Sequence, residues 1–209
     1  SQQSNGDILN LTPTGSAAGN VSYIAADGTE ANLPTVSYTG LENVTLTGQA
    51  GEGDTFAIDG STGNDAFTVN EGASAGAGTV AASLNGGAYA LPAVTFTGMS
   101  ATSECLINST TLTNGGGVDS LTFNGTTSAD TFSVTPGYDN GLFIGVSTSG
   151  DRLKIRADNM AQITIGGSDG NDTFNLSGGV NAPLAIDGGN GSDAIHVSSS
   201  PDLDAAIDL

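Results

Sequence analysis

Five residues, Asp65-Ala-Phe-Thr-Val69, return as Asp130-Thr-Phe-Ser-Val134 and again as Asp193-Ala-Ile-His-Val197, so the chain carries a repeat of about 64 residues. A weaker copy, Asp7-Ile-Leu-Asn-Leu11, opens the series. Half-way echoes precede the later copies: Asp54-Thr-Phe-Ala-Ile58, Asp119-Ser-Leu-Thr-Phe123 and Asp172-Thr-Phe-Asn-Leu176. The unit is Asp, one residue, apolar, one residue, apolar. Apolar residues at every second position make a strand with one buried face, and the Asp sits where a turn hands over to it. One such strand cannot bury its own face. The pattern therefore predicts stacked neighbours and a single array over residues 1–209. Its parts are repeat one at 7–64, repeat two at 65–129, repeat three at 130–192 and a partial fourth at 193–209.

The interior of the first two repeats also recurs. Gly19-Asn-Val-Ser-Tyr23 matches Gly78-Thr-Val-Ala-Ala82, and Leu33-Pro-Thr-Val-Ser-Tyr-Thr-Gly40 matches Leu91-Pro-Ala-Val-Thr-Phe-Thr-Gly98. Repeat three departs there, with Leu142-Phe-Ile-Gly-Val146 followed by Leu153-Lys-Ile-Arg156. Further alternating runs, such as Asn43-Val-Thr-Leu-Thr47 and Gln162-Ile-Thr-Ile-Gly166, are separated by turns rich in Gly, Asn and Asp. The expected class is all-β. The expected architecture is a parallel β-solenoid, like a β-roll or β-helix, with tandem small β-sandwiches as the alternative.

The stretch Gly188-Gly-Asn-Gly-Ser-Asp-Ala-Ile-His196 fits the nonapeptide Gly-Gly-x-Gly-x-Asp-x-apolar-x at every fixed position. Gly167-Ser-Asp-Gly-Asn-Asp-Thr-Phe-Asn175 and Gly60-Ser-Thr-Gly-Asn-Asp-Ala-Phe-Thr68 fit with Ser168 and Ser61 in place of the second Gly. On these residues the chain resembles the repeats-in-toxin, or haemolysin-type, calcium-binding family. It is also similar to the long Gly/Thr/Asp-rich repeat proteins of bacterial surfaces. The resemblance implies calcium held at the turns, where Gly exposes carbonyls and Asp closes the oxygen shell of a hard cation. Asp169, Asp172 and Asp187 with Asp193 are the ligands expected in repeat three, and Asp54 and Asp65, with Glu52 and Asp59, in repeat one. Repeat two has Ser128-Ala129 before Asp130 and is the weakest candidate. The family repeats every nine residues, whereas Asp54 and Asp65 are 11 apart, Asp119 and Asp130 are 11 apart, and Asp172 and Asp193 are 21 apart. The competing reading is that Asp and Asn populate turns because their side chains bond nearby backbone.

Charge narrows the partners. Against 22 acidic residues stand 3 basic ones, a formal net charge of -19, which disfavours nucleic acid and anionic membranes and favours cations. No apolar run approaches membrane-spanning length, so no membrane insertion is expected. Arg152, Lys154 and Arg156 hold every basic charge and alternate with Leu153 and Ile155, which places them on one strand face. That face can dock a polysaccharide or an acidic neighbour, or simply be balanced by Asp151 and Asp158. The single Cys105 sits in an apolar stretch as an ordinary buried thiol, and His196, with no second His or Cys nearby, supports no transition-metal site. Asn-x-Ser/Thr sequons at Asn10, Asn43, Asn108 and Asn175 permit glycosylation without predicting it.

No enzyme is predicted. Every prominent Asp belongs to the repeat, whereas catalytic carboxylates break a pattern at one place; the contrary case is a polysaccharide-active β-helix. The expected function is an extracellular or cell-surface structural module stabilised by calcium. Self-association into filaments or surface layers through free strand edges is a second expectation, and a carbohydrate-binding adhesin module the alternative.

Overall fold

The computed structural model describes residues 8–24, 34–48, 53–107, 117–136, 142–146, 153–157, 160–177 and 183–198. Asp7, Glu52, Asn108, Asp151, Arg152 and Asp158, all named above, lie outside them. Every regular element described is a strand, so the chain is all-β. In chain order these are β1 (Ile8–Gly15), β2 (Ala18–Ile24), β3 (Val36–Thr39), β4 (Asn43–Thr47), β5 (Thr55–Ile58), β6 (Ala66–Glu71), β7 (Gly78–Leu84), β8 (Tyr89–Ala90) and β9 (Ala93–Thr97). There follow β10 (Glu104–Ile107), β11 (Ser120–Asn124), β12 (Thr131–Pro136), β13 (Leu142–Val146), β14 (Lys154–Ala157), β15 (Gln162–Gly166), β16 (Thr173–Ser177), β17 (Leu184–Asp187) and β18 (Ala194–Ser198). No helix among the described residues is long and apolar enough to cross a membrane.

The strands form two sheets. One runs β18-β16-β12-β13-β14-β10-β5-β1-β2-β3, the other β17-β15-β11-β6-β7-β9-β4, with β8 attached to β7. Both are mixed rather than purely parallel. Parallel pairs such as β5 with β10, β6 with β11 and β16 with β18 stack like on like: Phe56 lies beside Cys105, Phe67 beside Leu121 and Phe174 beside Ile195. Antiparallel meanders interrupt them, β1-β2-β3 and β12-β13-β14 in the first sheet and β6-β7-β9 in the second. The interior echoes in the sequence are these returning strands. Gly19–Tyr23 falls in β2 and Gly78–Ala82 in β7, each folding back on the motif strand before it.

Alternation decides which side chains go inside. On β7 the burial runs buried, exposed, buried throughout, and Val80, Ala82 and Leu84 enter the core. One continuous apolar core draws on both sheets, which therefore face each other across it. Phe56 of the first sheet meets Phe96 of the second with ring centroids 5.4 Å apart. Phe132 of the first meets Phe123 of the second edge-on at 6.1 Å and stacks on Phe174 of its own sheet at 4.7 Å. Such ring pairs stabilise beyond their buried area.

The placement of the repeats follows from counting crossings between sheets. From β3 to β6 the chain changes sheet three times, as it does from β9 to β12. An odd number sends each motif strand to the sheet opposite its predecessor, so β1, β6 and β12 alternate. From β14 to β18 there are four crossings, because β17 is an added strand. That addition is why Asp172 and Asp193 are 21 residues apart where the corresponding earlier pairs are 11 apart.

Candidate functional site

The motif aspartates begin strands, and their position in the turn buries them. Asp65, Asp119, Asp130 and Asp172 are each at most 5% exposed, a rare environment for a carboxylate unless donors surround it. Stacked strands put successive turns on top of one another, so the donors come from the neighbouring rung. The Asp65 backbone N–H donates to Asp119 Oδ1 at 2.9 Å, Asp130 N–H to Asp172 Oδ1 at 2.7 Å, and Asp172 N–H to Asp193 Oδ1 at 2.9 Å. Two ladders result, Asp65–Asp119 at the second sheet and Asp130–Asp172–Asp193 at the first. Charge-assisted bonds of this kind are about twice as strong as neutral ones.

The residue before the Asp works in the opposite direction. Asn64 Oδ1 accepts from Val118 N–H, and Asn171 Oδ1 accepts from Ser192 N–H, each at 2.9 Å. An Asn-Asp pair therefore accepts from the following rung through Asn and donates to it through the Asp backbone. Sequence reasoning missed Asn64 and Asn171, although the Gly-Asn-Asp in two of the three nonapeptides was the available signal. A third set of bonds closes each turn on itself. Ser61 donates its N–H to Asp65 Oδ2 and its hydroxyl to Asp65 Oδ1, both at 2.6 Å, and Asn85 N–H adds a bond to Oδ1 at 2.8 Å. Thr126 repeats this on Asp130, its N–H reaching Oδ2 at 2.6 Å and its hydroxyl both oxygens. Ser and Thr four residues before the Asp are thus turn closers.

Repeat three breaks that pattern. Ser168 has a positive φ of 76° and turns its hydroxyl to the Gly125 carbonyl at 3.4 Å, leaving Asp172 Oδ2 buried without a hydrogen-bond partner. Gly167 makes room beside it: a Cβ there would run into both Asp172 Oδ2 and the Gly188 carbonyl. Gly191, at φ +149°, packs against the Gly170 carbonyl so closely that no side chain fits. The nonapeptide glycines are thus explained by one turn lying on the next. Asp169 accepts from Asn190 Nδ2 at 2.8 Å, and Asp187 Oδ1 accepts from Gly189 N–H at 3.1 Å.

The calcium expectation meets different geometry in the two repeats. In repeat one Asp54 and Asp65 start strands of opposite sheets, and both Asp65 oxygens accept hydrogen bonds from Ser61 and Asn85. In repeat three the turn holding Asp169 and Asp172 stacks on the turn between Asp187 and Asp193, with Gly170 N–H on the Asn190 carbonyl at 2.9 Å and Asn190 N–H on the Ser168 carbonyl at 2.8 Å. There a free carboxylate oxygen and a nearby carbonyl are on hand, fewer than the six to eight oxygens that calcium takes. Among the described residues, no group of three or more His, Cys, Asp or Glu side chains is placed to hold a metal ion.

Burial also makes two carboxyls harder to ionise. Asp172 is raised above its ordinary value of 3.8, first by burial and then by the neighbouring Asp130 and Asp193 charges, against the opposing Asp130 N–H bond. Asp59 is raised by burial, against hydrogen bonds from Thr12 and Asn10. Both bind a proton more tightly folded than unfolded. Their contribution to stability is therefore complete below pH 3.8 and is lost as pH rises through the folded values. Asp172→Asn keeps the Oδ1-type acceptor and removes the charge. We expect it to be neutral or stabilising by up to about 1 kcal/mol at pH 7 and to weaken the gain in melting temperature on acidification toward pH 4. An equal pH dependence in parent and variant would contradict this.

The remaining candidates sit apart from the ladders. Lys154 is exposed and Arg156 half-buried on β14, while Ile155 between them enters the core. Glu104 of β10 lies opposite Lys154 in register, so an acidic neighbour already stands beside that charge. Cys105 is wholly buried and its thiol is pushed well up by desolvation, which keeps it un-ionised. His196 is exposed on β18. Comparison with protein-family models, with curated proteins and with solved structures finds no match to this chain.

Proposed function

We propose that the chain is a structural module of an extracellular or cell-surface protein, a β-solenoid whose rungs are locked by asparagine and aspartate side chains. The carrying observation is that the Asp119, Asp172 and Asp193 carboxylates each accept a backbone N–H from the motif aspartate of the adjacent strand, the first two of them buried. Groups held this way set the spacing and register of a stack. A rod built so serves as a spacer, stalk or surface-layer element, and self-association through strand edges is a further use open to it. The strong acidity fits a cation-rich setting, where counter-ions offset self-repulsion.

Calcium is the second reading, and it is specific to repeat three. It is favoured by the unpartnered Asp172 Oδ2 beside the Gly188 carbonyl. An ion there would supply the missing partner and neutralise the Asp130–Asp172–Asp193 ladder. Thermal melting in calcium and in excess chelator, with light scattering, tests both readings. Rung locking by side chains predicts a cooperative melt from a folded β state in chelator. Unfolding on chelation would overturn it and leave the metal as what holds the turns. A calcium-dependent rise in melting temperature that vanishes in Asp172→Asn would place the ion at repeat three.

A further inference from the structure

The outer face of the second sheet is chemically unlike the rest of this acidic chain. On six neighbouring strands, β15-β11-β6-β7-β9-β4, every second residue points away from the core, three on each strand. These positions hold only Thr, Asn, Ser, Ala, Gln and Gly, and Thr is the commonest, so hydroxyls with a methyl beside them dominate the face. No Asp, Glu, Lys or Arg stands at any of them, in a chain whose formal net charge is -19. Charge returns at Asp187 on β17, the seventh strand of that sheet, and at Glu104 and Lys154 on the outer face of the first sheet.

Register arranges these side chains in rows. Thr45 lies beside Thr95 and Thr95 beside Thr79, while Thr47 lies beside Thr97 in the next row. All five are exposed. Neighbours within a row are about 4.8 Å apart and rows about 6.7 Å apart, the spacings of paired strands and of every second residue. Branching at Cβ restricts each Thr to few rotamers. The first row continues into a hydrogen-bonded run, in which Asn124 Nδ2 donates to Asn70 Oδ1 at 2.8 Å and Asn70 Nδ2 to Thr79 Oγ1 at 3.3 Å. The hydroxyls are therefore held in a periodic array before anything binds, which lowers the ordering cost of a contact.

Such a face lacks what grips a protein or a sugar. It carries no Trp, Tyr or Arg anchor and no aromatic ring on which a sugar stacks, and Ser and Ala are depleted at protein interfaces. It offers instead an array of groups that each donate and accept a hydrogen bond, free of ions whose own hydration shells would compete. The surface of ice is the matching partner, being uncharged, periodic and built of oxygens that each donate and accept. We propose that the outer face of β15-β11-β6-β7-β9-β4 binds ice, through the rows Thr45-Thr95-Thr79 and Thr47-Thr97. This goes beyond the structural role and stands whether or not calcium binds.

Partition into ice tests it on the full chain. Ice grown slowly from a dilute solution should take up the parent protein while excluding an acidic reference protein of similar size. Thr95→Lys, and separately Thr45→Lys, sets an ammonium in the first row, and each should be excluded from the ice at an unchanged urea midpoint. Ser133→Lys adds the same charge at an exposed position of β12, on the first sheet, and should be taken up like the parent. If Thr95→Lys fails to fold, the parent and Thr45→Lys decide. Exclusion of the parent would overturn the proposal, and so would equal uptake of all four proteins. Exclusion of Ser133→Lys would overturn it as well, by tracing uptake to overall charge. Dimers of the parent that light scattering shows to be lost in Thr95→Lys, with the parent excluded from ice, would instead assign the face to a second copy.

Discussion

Phe132→Ala is expected to lower stability by about 3–5 kcal/mol in urea denaturation, among the largest losses open to any single substitution in this chain. The ring is fully buried, stacks on Phe174 at 4.7 Å and meets Phe123 edge-on at 6.1 Å. It thus joins neighbouring rungs of one sheet and also the two sheets. Truncation removes both contacts and leaves a void that the strands cannot close, because their hydrogen bonds to β13 and β16 fix them in place. A loss below about 1 kcal/mol would show that the two sheets do not enclose this ring.

Asp65→Ala should cost a comparable amount, about 3–5 kcal/mol, by a different route. The carboxylate accepts from Ser61 N–H and hydroxyl and from Asn85 N–H, and its removal strands these donors in a turn where Asp65 is 2% exposed. Asp65→Asn should lose much of the same stability, since an amide NH2 replacing Oδ2 confronts the Ser61 N–H, donor against donor. The contrast with Asp172→Asn is the informative part. One substitution is damaging where both oxygens accept and tolerated where Oδ2 has no partner. Equal effects at the two positions, read from urea midpoints, would refute the assignment of separate roles.

Much of the fold is legible from side-chain type alone. Period-two alternation in Asp65–Val69, Asp130–Val134 and Gln162–Gly166 corresponds to β6, β12 and β15, because apolar side chains on one face of an extended chain have to meet other apolar faces. The antiparallel meanders are less legible. The echoes at Gly19–Tyr23 and Gly78–Ala82 mark returning strands, yet nothing in them states direction, so an array of parallel strands and a mixed one read alike. The turns divide similarly. Gly, Asn and Asp announce them, but an Asp positioned for a cation and an Asp positioned for a backbone N–H occupy the same place in the sequence. Ser61 and Thr126, four residues ahead, carry the distinction, through bonds visible only once the turn is closed.

What the sequence determined by itself was local: strands, turns, the acidity and the repeat, each set by interactions within a few residues. Which sheet a motif strand enters was decided only in the tertiary structure, because it depends on whether the crossings before it number three or four. That parity brings Asp65 onto Asp119 and Asp130 onto Asp172, rather than Asp65 onto Asp130 as the repeat alone suggests. The backbone donors to Asp119, Asp172 and Asp193 are a property of the stack, since they come from a rung 54, 42 and 21 residues away, whereas Asp65 and Asp130 also take donors from Ser61 and Thr126 in their own turns.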